Sequence, residues 1–161
     1  ALPILFIILL IRVIVKRQKV SFFFKNRILM WRYNKNKKQT IRALTKLKQN
    51  SKLLDSEVSM RIQNILRAYL EFRFDYPFTK KVSSEILKGF YEATNSMISE
   101  KKLPACEYIT QVFIRTDYIR YSKDSSFERG EKDDLITNLL QAIEVLETEE
   151  VIIPEMEETN A

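Results

Sequence analysis

The sequence lacks the residue types from which most active sites are built. Its 161 residues include no histidine, one cysteine (Cys106) and two glycines (Gly89 and Gly130). A zinc site needs several Cys or His ligands at short spacing, and a serine or cysteine nucleophile normally needs a histidine base. The two glycines stand far apart, outside any phosphate-binding loop motif. Carboxylate chemistry is the one class left open, and no pair of acids stands out. The composition therefore predicts a non-enzymatic protein without a metal or other cofactor.

Acidic residues are absent from the first 50 positions, which carry 13 Lys and Arg. The remaining positions, 51–161, hold 14 basic and 21 acidic residues, so the net charge of +6 conceals a basic part and an acidic part. A division of charge this sharp indicates that the two parts meet different surroundings.

The chain opens with ALPILFIILLIRVIV, in which Arg12 is the only charged residue. Fifteen residues are fewer than the roughly 20 that a helix needs to cross a bilayer. We therefore expect residues 1–15 to be a transmembrane helix truncated at its start, with upstream residues lying outside this sequence. The alternative is a core helix of a soluble protein, because a helix that is apolar all round is also typical of a buried one.

Cations and aromatic residues are interleaved directly after the apolar run, over residues 16–37. Positive charge on this side predicts that the following chain stays in the cytoplasm, and rings mixed with Lys and Arg are typical of a segment in the headgroup layer of an anionic leaflet. Nucleic acid is the alternative partner, bound by the basic segment 16–48. The predicted membrane-interface residues are Arg12, Lys16, Arg17, Lys19, Phe22, Phe23, Phe24, Lys25, Arg27, Trp31 and Tyr33.

Apolar residues recur at helical spacing from Lys38 onward and predict an all-α bundle of about five helices over residues 38–148. Pro77 is expected to end the second helix after Phe74, Ser83 to cap the third, and Pro104 to lie in the first turn of the fourth. The last 13 residues, 149–161, are acidic and are expected to be a disordered tail. Its apolar residues Val151 to Ile153 also suit a short peptide for a basic groove.

The run RAYLEFRFDYPFTKKVSSEIL, residues 67–87, resembles a family of small membrane proteins associated with MoxR-type ATPases and von Willebrand factor A domain proteins in aerotolerance (Bat) operons. Ser83 to Ile86 stand where that family opens its next helix with Thr-Thr-x-Glu-Leu, so Ser replaces Thr. The resemblance implies a single-pass protein of the bacterial inner membrane whose cytoplasmic helical domain works beside an AAA+ ATPase. The residues that match the R-x-YLE-x-RF core of the family are Arg67, Tyr69, Leu70, Glu71, Arg73 and Phe74.

The same run contains a corner that is a candidate protein-docking surface: Phe72, Arg73, Asp75 and Tyr76. Aromatic residues and arginine are the commonest anchors of protein interfaces. The alternative is that these residues are ordinary solvated helix ends. Taken together, the sequence predicts a membrane-tethered scaffold or adaptor in an envelope-associated complex, and the alternative is a membrane-associated nucleic-acid binder or regulator.

Overall fold

The computed structural model describes residues 2–148, with side chains from Pro3 onward, and the tail 149–161 lies outside the described residues. Five α-helices make up this part of the chain, which contains no strand, so the predicted all-α bundle is confirmed. The helices are α1 (Leu2–Gln49), α2 (Asp55–Phe74), α3 (Ile86–Ala93), α4 (Leu103–Tyr121) and α5 (Glu131–Glu147).

The first helix differs from its prediction. Instead of one helix over residues 1–15 and another that begins at Lys38, α1 is continuous over 48 residues. Residues 4–76 contain no glycine and no proline, so no residue of these types breaks the helix at the expected boundaries at 15 and 37. Pro3 lies in the first turn, where a missing amide hydrogen costs nothing. The change in composition along α1 is therefore not a change in backbone structure.

Among residues 2–148, no helix has a stretch both long enough and apolar enough to cross a membrane. The predicted transmembrane helix over residues 1–15 is thus not supported. A helix needs about 20 residues to cross the core of a bilayer. The first 20 residues of this chain include Arg12, Lys16 and Arg17, whose charges interrupt the apolar run.

The bundle core lies between α2 and α4, with α1 and α5 packed on one side and α3 on the other. One side of each helix is buried at helical spacing, as in Val58, Ile62 and Leu66 of α2, which are fully buried. Where α3 meets the core, the rings of Phe74, Phe78 and Phe90 pack edge to face or tilted, with centroids 5.3 to 6.2 Å apart. Burial of large aromatic rings at this spacing stabilises the core strongly.

The connection between α2 and α3 turns where the sequence predicts, after Phe74, but the third helix begins differently. Asp75 takes a left-handed conformation (φ 49°), and Pro77 precedes a short 3₁₀ turn at Phe78–Lys80. Ser83 was expected to cap α3; instead it begins a second 3₁₀ turn, Ser83–Glu85, and α3 starts at Ile86. The Ser83 hydroxyl is buried without a hydrogen-bond partner, so the predicted cap is wrong.

The fourth helix agrees with its prediction, since Pro104 lies in its first turn and the helix ends at Tyr121. Cys106 is 2% exposed, and burial raises the pKa of its thiol to about 11, which keeps the thiol protonated and unreactive at neutral pH.

Candidate functional site: the projecting helix and its anchorage

The first two thirds of α1 extend beyond the bundle. Every residue from Pro3 to Arg32 is exposed, and burial begins at Tyr33. We call residues 2–32 the projecting segment; at 1.5 Å per residue it is about 45 Å long. Between residues 4 and 15, its apolar side chains remain 46% to 68% exposed and point to all sides of the helix. Exposed apolar surface of this extent is typical of a segment that contacts lipid or a partner.

All of the predicted membrane-interface residues except Tyr33 therefore lie on the projecting segment, where they are exposed. Phe22, Phe23 and Phe24 are 58% to 68% exposed, and the ring of Trp31 lies 5.2 Å from the Lys35 ammonium. Because three successive residues of a helix point in three directions, these rings surround the helix instead of forming one apolar face. The segment is thus not amphipathic in the manner of a helix that lies flat on a membrane.

Where α1 leaves the bundle, five residues of three helices hold it in place. We call this group the exit clamp: Tyr33 of α1, Tyr69, Phe72 and Arg73 of α2, and Glu147 of α5. The Tyr33 ring packs edge to face with Phe72 at 6.0 Å and lies 4.4 Å from the Arg73 guanidinium. The clamp fixes the direction in which the projecting segment leaves the bundle.

A single buried carboxylate completes the clamp. The side chain of Glu147, 8% exposed, accepts a hydrogen bond of 2.6 Å from the Tyr69 hydroxyl, and its Oε1 lies 3.2 Å from Arg73 Nε. The Arg73 contact is an ion pair without hydrogen-bond geometry, because Nε has no acceptor in line with its N–H. Burial, followed by the charge of Glu147, raises the pKa of Tyr69 well above its ordinary value, so the phenol keeps its proton at physiological pH and donates the hydrogen bond to Glu147.

The predicted docking corner is divided by the fold. Phe72 and Arg73 belong to the exit clamp, and Arg73 is largely occupied by contacts within the chain. Asp75 is exposed, whereas the Tyr76 hydroxyl donates a hydrogen bond to Glu92 and its ring faces Lys81 at 5.5 Å. Phe72, 45% exposed, and Asp75 therefore remain the accessible members of the corner.

A buried polar cluster between α2 and α4 was not foreseen from the sequence. Gln63, fully buried, donates to Asp117 at 2.7 Å and to Thr116 at 2.8 Å, while its Oε1 accepts from Arg120 at 2.6 Å and from Arg67 at 3.3 Å. Desolvation lowers the pKa of Arg67, and the charge of Asp117 opposes that effect. All of the polar atoms of the Gln63 amide have partners in the chain, which is the arrangement of a structural network.

The described residues contain no group of three or more His, Cys, Asp or Glu that could hold a metal ion. Of the cavities, one of about 410 Å³ lies between α4 and α5 and is bordered by Arg115 and Glu131. These two residues form a double hydrogen bond of 2.7 and 2.8 Å, so the charges that border the cavity already neutralise each other.

One exposed side of α4 carries apolar and aromatic residues. The sequence predicted the buried side of this helix and gave no prediction for the exposed one. Ile114, Tyr118 and Tyr121 are 49% to 73% exposed and follow one another at helical spacing. The guanidinium groups of Arg115 and Arg120 lie 5.6 and 4.9 Å from the Tyr118 and Tyr121 rings. The spacing could have revealed this side, because the three residues fall opposite the apolar positions used for the core.

No protein-family model matches this chain, and no curated protein and no solved structure is significantly similar to it. The resemblance to the membrane proteins of aerotolerance operons therefore stays a prediction.

Proposed function

We propose that this protein is a non-enzymatic, membrane-associated adaptor. The apolar part of α1 inserts into lipid, the basic and aromatic residues that follow contact anionic headgroups, and the bundle binds a protein partner on the cytoplasmic side. The observation that carries the proposal is the projecting segment, whose apolar side chains from residue 4 to 15 are exposed on all sides of the helix.

Lipid suits this surface better than a groove on a folded partner does. A protein groove covers one side of a helix, whereas a bilayer surrounds it. Residues 2–15 are about 20 Å long as a helix, which is enough to enter a leaflet end on. Arg12 then lies within reach of the headgroups because its long side chain extends toward the interface.

The order of residues along the projecting segment supports the same orientation. The aromatic residues from Phe22 to Trp31 come after the apolar part, mixed with Lys25 and Arg27. Each cation near an anionic leaflet contributes about 1 kcal/mol to binding. Since residues 2–32 carry no acid, all of these contributions have the same sign.

The experiment is co-sedimentation of the full chain with vesicles of anionic phosphatidylglycerol or of neutral phosphatidylcholine. We expect binding to the anionic vesicles and weaker binding to the neutral ones. Ile8→Asp places a charge in the lipid at a cost of about 2.5 to 3.5 kcal/mol, so the bound fraction should fall at least about ten-fold.

Ile114→Asp is the matched control, because Ile114 of α4 is 49% exposed and Ile8 is 54% exposed. Equal vesicle binding by wild type and Ile114→Asp, together with loss for Ile8→Asp, supports the proposal. A wild-type chain that stays in the aqueous fraction in the absence of detergent contradicts it.

The protein-binding half of the proposal rests on the accessible part of the docking corner. We expect Asp75→Ala and Phe72→Ala to reduce recovery of a partner from detergent-solubilised membranes, with Ser56→Ala at the far end of α2 as a control. If the family resemblance is correct, an AAA+ ATPase or a von Willebrand factor A domain protein is the expected partner. Unchanged recovery would remove the corner as the contact.

The nucleic-acid alternative over residues 16–48 is tested in the same preparation by binding to DNA or RNA at increasing salt. Two of its cations are already engaged, since Lys37 pairs with Glu144 at 2.6 Å and Lys48 donates to Thr137 at 2.9 Å. A steep loss of nucleic-acid affinity with salt would favour this alternative over lipid.

A further inference from the structure

Four cations lie in a row on the side of α1 that faces away from the bundle. We call this row the basic stripe: Lys35, Lys38, Arg42 and Lys46, all exposed. Their spacing of three or four residues places them on one side of the helix, while Thr40, Leu44 and Leu47 are buried on the opposite side. The stripe is about 16 Å long.

The stripe has no counter-charge in the described part of the chain. Between residues 3 and 148, none of the four cations forms an ion pair with Asp or Glu, although other cations such as Lys37 and Arg115 do. Like charges at this spacing repel one another along a helix. An anionic segment bound along the stripe would relieve that repulsion.

The chain carries such a segment directly after α5. Residues 149–161 contain five Glu and no Lys or Arg. The segment follows α5, whose last turns lie beside the same level of α1, because Glu144 pairs with Lys37 and Glu147 belongs to the exit clamp. Thirteen residues in extended form reach at most about 45 Å, so every position of the stripe lies within range.

We propose that residues 149–161 bind along the basic stripe of the same molecule, with Glu149 and Glu150 near Lys35 and Glu155 to Glu158 toward Arg42 and Lys46. Tethering gives the tail an effective concentration in the millimolar range, so individually weak ion pairs combine into measurable occupancy. The bound tail occupies the stripe and keeps other polyanions from it. The inference goes beyond the proposed function and does not depend on it, because lipid plays no part in it.

The test is paramagnetic broadening of backbone amide signals in the full chain, kept in a non-ionic detergent at low salt. A nitroxide is attached at Asn160→Cys; the buried Cys106 does not compete for the label, since burial disfavours its thiolate. We expect loss of the amide signals of residues 35–46, retention of those of α3, and recovery of all signals at high salt.

Charge variants identify the contact, and each has a control with the same change in net charge. Neutralising the tail or the stripe should restore the lost signals, whereas neutralising exposed acids or cations elsewhere should not. The tail variant is Glu155→Gln, Glu157→Gln and Glu158→Gln, with Glu100→Gln, Glu107→Gln and Asp133→Asn as its control. The stripe variant is Lys38→Gln, Arg42→Gln and Lys46→Gln, with Lys80→Gln, Lys101→Gln and Lys123→Gln as its control.

Three results would overturn the inference. The signals of residues 35–46 could survive in the labelled wild type, or their broadening could persist in the tail or stripe variant. The broadening could also arise between molecules, with the label on one chain and the affected amides on another. Because no lipid is present, none of these results bears on vesicle binding. The two proposals therefore fail separately.

Discussion

The same side chains have opposite surroundings in the two regions of this molecule. In the bundle, Phe78, Phe90 and Phe113 are fully buried, whereas Phe22, Phe23 and Phe24 of the projecting segment are 58% to 68% exposed. Both regions are helical, so the difference lies in the arrangement of apolar residues along the sequence. A helix with one apolar side buries that side against neighbouring helices of the bundle. A helix that is apolar all round can be buried only if lipid or another protein surrounds it.

The comparison also separates two sources of helix stability. The helices of the bundle gain stability chiefly from burial of one side, while the projecting segment relies on backbone hydrogen bonds that continue from the anchored part of α1. A helix that grows from a fixed end avoids the cost of nucleation. The following four predictions test this comparison, beginning with the largest expected effect.

The first prediction concerns one type of substitution made in both regions. Phe90→Ala should lower the free energy of unfolding by about 3 to 5 kcal/mol, because it leaves a cavity beside Phe74 and Phe78. Phe23→Ala should change it by less than about 0.5 kcal/mol, since that ring is exposed. Denaturant unfolding in non-ionic detergent measures both, and similar losses for the two variants would show that the projecting segment packs on the bundle.

The second prediction concerns the polar cluster inside the bundle. Gln63→Leu removes the partner shared by Asp117 and Arg120 and should lower the free energy of unfolding by about 1 to 3 kcal/mol. Asn64→Leu, one residue further and exposed, is the control and should be nearly neutral. A neutral Gln63→Leu would mean that water satisfies the cluster equally well.

The third prediction concerns the exit clamp, where the two regions meet. Tyr69→Phe removes the hydrogen bond to Glu147 and should cost about 1.5 kcal/mol, the lower end for a bond to a charged group. The distribution of distances between spin labels on α1 and α4 should broaden at the same time, because the clamp fixes the direction in which α1 leaves the bundle. Tyr118→Phe is the control, with an exposed hydroxyl; an unchanged distance distribution for Tyr69→Phe would contradict the role of the clamp.

The smallest expected effect concerns pH and is confined to the bundle. The hydrogen bonds from Arg115 lower the pKa of Glu131 below its ordinary value, so the pair stabilises the fold above the pKa of the unfolded chain and loses this contribution as pH falls through the folded-state pKa. The pair is partly exposed, so we expect less than about 1 kcal/mol.

Unfolding measured between about pH 5 and pH 3 should show this loss in the wild type and a shallower dependence in Glu131→Gln. The helicity of the projecting segment should not change over the same range, because residues 2–32 contain no acid. An identical pH dependence in the wild type and the variant would show that other carboxylates account for it.

Much of the bundle could be predicted from the sequence because its signals are local. Pro77 and Pro104 restrict the backbone directly, and the apolar spacing of α2, α4 and α5 defines which side is buried. The Ser83 cap was predicted from residue type, but Val82 takes the position before the first turn, and Ser83 lies inside a 3₁₀ turn with its side chain buried. A cap depends on the entry angle of the chain, which sequence spacing does not contain.

The continuity of α1 and the Gln63 cluster were missed for physical reasons of another kind. A change from apolar to basic residues suggested boundaries at 15 and 37, but composition alone does not interrupt backbone hydrogen bonding. Gln63 offered a weak signal, since it is a polar residue between Ile62 and Leu66 on a largely apolar side of α2. Its partners on α4 are more than 50 positions away, so only the tertiary structure identifies them.

An unbroken α1 also makes the angular setting of its two ends interdependent. Each residue of helix turns the chain by 100° and advances it by 1.5 Å, so deleting seven residues between 16 and 32 shortens the rod by about 10 Å and leaves its far end nearly in phase with the bundle. Deleting five would turn that end by about 140°. A change in the length of α1 therefore also rotates its far end relative to the bundle, and the two cannot be altered independently.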